Sequence, residues 1–124
     1  MAEDAAQKLL ETRAHGRTHV LRIRDAEIYR ADTIAQLGHE VRQAIEAAGA
    51  GASFVLDLSH VQFLTSAAVG LITNIHSHLK ARDYPFALAG AQGEVAEVIE
   101  TTRLGKVMPV FATVEDALDE FRCR

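Results

Sequence analysis

The sequence predicts a single α/β domain: an open, mostly parallel sheet of about five strands that begins with a hairpin and is flanked by about four helices. Three observations carry that expectation. Short apolar runs of strand length alternate with longer stretches of helical period. The clearest such unit, FVLDLSHVQFLTSAAVGLI over residues 54–72, changes from one period to the other within a single segment. A glycine-containing connection joins the first two candidate strands, so the series opens antiparallel before it becomes strand–helix–strand, with right-handed crossovers as the default.

Taken in order, residues 1–7 are small and polar and read as a flexible terminus, with the domain running from 8 to 124. Lys8 to Ala14 and Thr18 to Arg24 flank His15-Gly16-Arg17, a connection of hairpin length. Asp25 to Arg30 crosses over into a helix near Ala31, whose apolar stripe is Ile34, Leu37, Val41, Ala44 and Ile45. Glu40, Arg42 and Gln43 fall on its wet face, and Gly49-Ala50-Gly51 ends it. Phe54 to Leu58 reads as a buried central strand. The helix after it begins near Thr65 or Ser66, runs to about Ala81, and turns Ala68, Ile72, Ile75 and Leu79 inward.

Arg82-Asp83-Tyr84-Pro85 is a turn, and Phe86 to Ala89 a third buried strand. Gly90 to Gly93 leads into a helix with Val95, Val98 and Ile99 inside. Leu104-Gly105 breaks that helix, Val107 to Phe111 returns as a strand, and Thr113 caps a last helix. There Val114, Ala117, Leu118 and Phe121 repeat at i, i+3, i+4, i+7.

Composition narrows the function. Of the 124 residues, 48% are hydrophobic and 24% charged, as in an ordinary soluble domain. The net charge of −4, without a basic block, argues against nucleic acid as a partner. No apolar run approaches the ~20 residues that span a bilayer, so no membrane insertion is expected. The amino terminus is acidic and has no apolar signal core, and Cys123 is the only cysteine. A cytoplasmic domain fits both.

Candidate chemistry gathers beyond the carboxyl end of the central strand, where ligands and partners of a parallel sheet are met. Ser59, His60, Gln62, Thr65 and Ser66 lie there. Either Thr65 or Ser66 can cap the helix by accepting from a free backbone N–H. Asp57, Ser59 and His60 do not make a catalytic set, because neighbours on a strand point to opposite faces. His76 and His78, two apart on a helix, lack the i, i+4 spacing of helical metal sites and read as solvated. No catalytic residue, metal or cofactor is expected. Asn74, His78 and Arg82, along the exposed side of the helix, are candidate partner contacts.

The segment Asp57-Leu58-Ser59-x-Val61-x-Phe63-Leu64-Thr65-Ser66-Ala67-Ala68-Val69-Gly70 resembles the central motif of STAS domains, in particular the anti-sigma factor antagonists. Family members commonly read DLS-x-V-x-F-[MI]-D-S-S-G-L-G there. The resemblance covers about Leu9 to Phe121, and it implies a STAS-like single domain. It also implies that Ser66, at the position of the family's first serine, accepts a phosphate, with Thr65 as the alternative acceptor. Thr65 replaces the usual Asp, Ala67 a second Ser and Ala68 a Gly. In the first crossover Tyr29 stands where an Asp is usual.

By that resemblance the unmodified protein binds an anti-sigma factor, often a serine kinase of the histidine-kinase-like ATPase fold. Phosphorylation releases the partner, and a PP2C-type phosphatase restores capture. Tyr29, Ser59, Thr65, Ser66, Asn74 and His78 are the expected partner-binding residues. The alternative is a constitutive adaptor subunit of a signalling or transporter assembly, with no switch. A receiver-type domain with Asp57 as the phosphoacceptor needs a lysine after the last strand, and Ala112-Thr113-Val114-Glu115 has none.

Overall fold

The structure, a computed structural model, describes residues 9–24, 27–28 and 31–122. The terminus expected to be flexible, residues 1–7, lies outside the described residues, as does Tyr29. The chain opens with β1 (Leu10–His15) and β2 (Thr18–Ile23), paired antiparallel from Leu10 against Ile23 to His15 against Thr18. The turn is tighter than expected, since only Gly16 and Arg17 remain between the strands. Gly16 supplies the positive φ of 65° that such a two-residue turn requires.

After β3 (Glu27–Ile28) come α1 (Ala31–Ala47), β4 (Ser53–Asp57), β5 (Phe63–Leu64) and α2 (Ser66–Ala81). Then follow β6 (Phe86–Ala89), α3 (Gly93–Thr101), a 3-10 turn (Leu104–Lys106), β7 (Val110–Phe111) and α4 (Val114–Arg122). The main sheet has five strands in the order β1-β2-β4-β6-β7, and every pair after the hairpin is parallel. This is the α/β architecture that the alternation of periods predicts.

The sheet's two faces are covered unequally. Leu21, Ile23, Phe54, Leu56, Leu58 and Leu88 pack with α1, α2 and α3 into the larger core. Val20, Val55 and Ala89 pack on the other face against Ala117 and Leu118 of α4. β4 feeds both layers alternately, which is why it reads as an unbroken apolar run and is buried at every position. Each large apolar side chain so buried contributes roughly 1.5–3 kcal/mol. Two polar side chains inside the sheet satisfy each other, Thr18 Oγ1 and Ser53 Oγ lying 2.8 Å apart.

Three local features differ from expectation. Glu40 is not a solvated helix residue: its carboxylate accepts from the backbone N–H of Leu9 and of Leu10, both at 3.0 Å, and ties the start of β1 to α1. The strand expected over Val107 to Phe111 shrinks to its last two residues. Arg103 turns left-handed at φ 61°, the 3-10 turn follows, and Met108 is drawn into the core. Pro109 has no N–H for a ladder, although its carbonyl accepts from Leu88 at 2.9 Å. Finally, β3 and β5 form a separate two-stranded parallel sheet, Glu27 against Phe63 and Ile28 against Leu64. It joins the loops that leave β2 and β4.

Candidate functional site

The region at the carboxyl end of β4 is fixed from both sides. Asp57, buried to 6% exposure, accepts the Ser59 N–H at 2.9 Å through Oδ1 and bends the chain out of the strand. Leu58 donates its N–H to Ala89 at 2.8 Å, and Val61 donates to Leu58 at 3.0 Å. Gly90 lies against this turn with φ 81°, and a Cβ there would stand 2.9 Å from Asp57 Oδ1 and 3.2 Å from the Ser59 nitrogen. Only glycine fits. Beyond the turn, Val61 and Leu64 anchor the loop in the core while Phe63 between them is 46% exposed.

Which hydroxyl caps α2 is decided here. Thr65 has extended backbone angles, φ −86° and ψ 169°, and its Oγ1 accepts the Ala68 N–H at 3.2 Å. Thr65 is the cap. Ser66 is the first helical residue, exposed, and its hydroxyl is not committed to holding the helix together. No acidic residue occupies the first turn of α2. The free backbone N–H groups of that turn therefore have no acidic side chain of the same turn to complement them.

The other expected contact residues divide between two places. Thr65 and Ser66 share the loop end with Phe63. Ser59 opens toward the α4 side, into a groove of about 670 Å³ lined also by Arg22, Asp57, Gln92 and Thr113. There Arg22 Nη2 and His60 Nε2 are 2.8 Å apart. Asn74 and His78 line a different groove, between α1 and α2. Tyr29 is outside the described residues. The two helix histidines are half-buried rather than solvated. Burial, with a smaller contribution from Lys80, lowers the His76 pKa below the usual histidine value, and its ring lies 6.4 Å from that of Phe86. Among the described residues no three His, Cys, Asp or Glu side chains converge as they would around a metal ion.

Two contributors escaped the sequence reading. Phe63 is exposed next to the buried Leu64, and the segment Val61-Gln62-Phe63-Leu64 conceals this because both Phe63 and Leu64 are apolar. Gly38, inside α1, faces Leu71, with a Cβ reaching 3.1 Å from Leu71 Cδ1. A glycine inside a helix of otherwise good formers was the available signal for a close helix approach.

Comparison with known proteins agrees with this fold. A family model described as the STAS domain matches residues 10–117. A Thermotoga maritima protein assigned as an anti-sigma factor antagonist is 30% identical over 67 residues, covering 54% of this chain and 59% of that protein's own length. The solved anti-sigma factor antagonist (STAS) domain protein of Planctomyces limnophilus superposes with a TM-score of 0.79 at 20% identity, over 91% of this chain and 97% of that one. The anti-sigma factor antagonist SpoIIAA in its unphosphorylated form gives a TM-score of 0.73 at 24% identity, over 93% and 97%. Among the described residues no helix is long and apolar enough to cross a membrane.

Proposed function

The chain belongs to the STAS domain family, and on that premise we propose that it is an anti-sigma factor antagonist whose partner capture is switched off by phosphorylation of Ser66. The observation that carries the reading is the division of labour at the start of α2: Thr65 holds the helix, and Ser66 is exposed beside it. Among the described residues Ser66 makes no side-chain hydrogen bond that its modification would break. Phosphorylation adds about −1.5 to −2 of charge at pH 7. At a helix amino terminus without acidic residues, the dipole favours that charge by roughly 0.3–1 kcal/mol. The fold tolerates the phosphate.

A partner that buries the unmodified hydroxyl does not. Enclosing an unpaired charge in an interface costs several kcal/mol, and each 1.4 kcal/mol is tenfold in affinity. The partner is then an anti-sigma factor, a serine kinase of the histidine-kinase-like ATPase fold, and a PP2C-type phosphatase resets the switch. In this role the protein is a kinase's substrate and no enzyme. SpoIIAA, of the same fold, is solved specifically as the unphosphorylated protein, which supports a phosphorylation switch on this architecture.

The residues around Ser66 favour one alternative. Thr65, Ala67 and Ala68 in place of the motif's Asp, Ser and Gly suit a constitutive adaptor in which the serine is never modified. Affinity capture from native lysate with wild type and Ser66→Asp as baits separates the two. The switch predicts that wild type retains a kinase-like ATPase and that Ser66→Asp loses it, with both proteins folded by circular dichroism. Retention of the same ATPase by both baits defeats the switch and leaves the adaptor.

A further inference from the structure

The main sheet has two edges, and they are unlike. β7, at one of them, is two residues long. β1, at the other, runs for six, and every residue from Thr12 to His15 is exposed. Arg24 donates its N–H to the Leu9 carbonyl at 2.8 Å, and the bonds of an antiparallel ladder alternate. Glu11, Arg13 and His15 therefore bond inward to β2, while the N–H and C=O groups of Thr12 and Ala14 point outward. The Leu10 N–H on that outer side is already held by Glu40, at 3.0 Å. Among the described residues no strand pairs with this edge. A long unpaired edge is a template for another strand.

We propose that the β1 edge is a dimerisation surface, on which a second copy of this chain pairs antiparallel with Thr12 against Thr12. The charges select both the occupant and the register. Charged side chains usually blunt an edge, because an identical strand brings like charges together. Here Glu11 and Arg13 line one face of the strand and are opposite in sign. A dyad at Thr12 sets each Glu11 across from the second copy's Arg13. These are non-hydrogen-bonded pairs, where Cα atoms approach to about 4.5 Å and side chains lie closest. A dyad one residue to either side sets Arg13 against Arg13 or Glu11 against Glu11, and both registers are disfavoured. The backbone favours the same choice. The outward groups of Thr12 bond each other reciprocally, and each Ala14 N–H meets the second copy's Leu10 carbonyl. Within one chain Glu11 lies 3.7 Å from Arg13 and from Arg22. Such loose surface pairs are worth little, so exchanging one Arg13 for the other costs little. Ser66 takes no part, and the dimer and the switch stand or fall separately.

Sedimentation equilibrium of the full chain in low salt, from about 10 μM to about 1 mM, is expected to show monomer passing into dimer. Thr12→Pro removes an outward N–H that β2 does not use, and is expected to leave a monomer that circular dichroism shows to be folded. Arg13→Glu is expected to weaken the dimer at least about tenfold, because both cross-strand pairs then repel. Adding Glu11→Arg to that variant reverses both charges and is expected to restore most of the loss. A chain that stays monomeric at the highest concentration overturns the proposal. So does a dimer that Thr12→Pro leaves intact, or a double reversal as weak as Arg13→Glu alone.

Discussion

α2 and α4 begin with the same device and end up with different capacities. Thr65 Oγ1 accepts from Ala68 three residues on, and Thr113 Oγ1 accepts from Asp116 three residues on, at 3.2 and 3.1 Å. In α4 the first turn already holds Glu115 and Asp116, so the positive end of the helix is complemented within the chain. In α2 the first turn holds no acid, and an exposed serine stands at its head. One helix start is finished by its own sequence. The other holds no acid of its own in that turn, so an identical cap leaves the two helix starts electrostatically different.

The sharpest way to break this contrast is to put the charge on α2. Ser66→Asp is expected to weaken partner binding by about 100-fold or more, equivalent to roughly 3 kcal/mol. Isothermal titration against the captured ATPase reads it directly. Glu115→Gln, at the other helix start, should leave the same affinity unchanged. The caps themselves should prove equal: Thr65→Ala and Thr113→Ala are each expected to cost about 1 kcal/mol in urea unfolding. A loss confined to one of them would mean that the other hydrogen bond does not hold its helix.

Smaller effects separate the charges from the caps. Without partner, Ser66→Asp is expected to stabilise the protein by roughly 0.3–1 kcal/mol in low salt, and Asp116→Asn to destabilise it by a similar amount. Both differences should shrink in 1 M salt, where screening shortens to about 3 Å. The weakest effect lies farther down α2, at His76. Burial lowers its pKa in the fold, so the unfolded chain binds its proton more readily. The resulting stability is present above the unfolded histidine pKa and declines as pH falls through it. Between pH 7.5 and 5.5, wild type should lose stability more steeply than His76→Gln, and parallel urea midpoints for the two would remove the effect.

The strand–turn–helix unit was legible because its signals are local. β4 is apolar at successive positions since both its faces are covered, and Ala68, Ile72, Ile75 and Leu79 keep helical spacing down to the last turn of α2. All four are buried. The last helix was legible for the same reason: Thr113 caps it, and Val114, Ala117 and Leu118 lie where the i, i+3, i+4 pattern puts them. The segment before β7 was not, because Val107 and Val110 look like strand residues. They are 53% and 38% exposed, while Met108 takes the core position between them. Nothing local announces a left-handed Arg103.

The amino-acid sequence by itself determined the α/β class, the order of the main-sheet strands and the helices, and the position of the polar loop at the end of the central strand. Periodicity and turn chemistry act over a few residues and are written directly in the chain. The tertiary structure alone decided that Thr65 rather than Ser66 caps α2, since that choice follows from the extended backbone at Thr65. Leu64, the residue before it, pairs with Ile28 in the small parallel sheet. The tertiary structure also decided that Arg42 and His78, from different helices, line one groove. A single residue of shift at a helix start turns a side chain by about 100°, and contacts between helices depend on packing distances that no local pattern encodes.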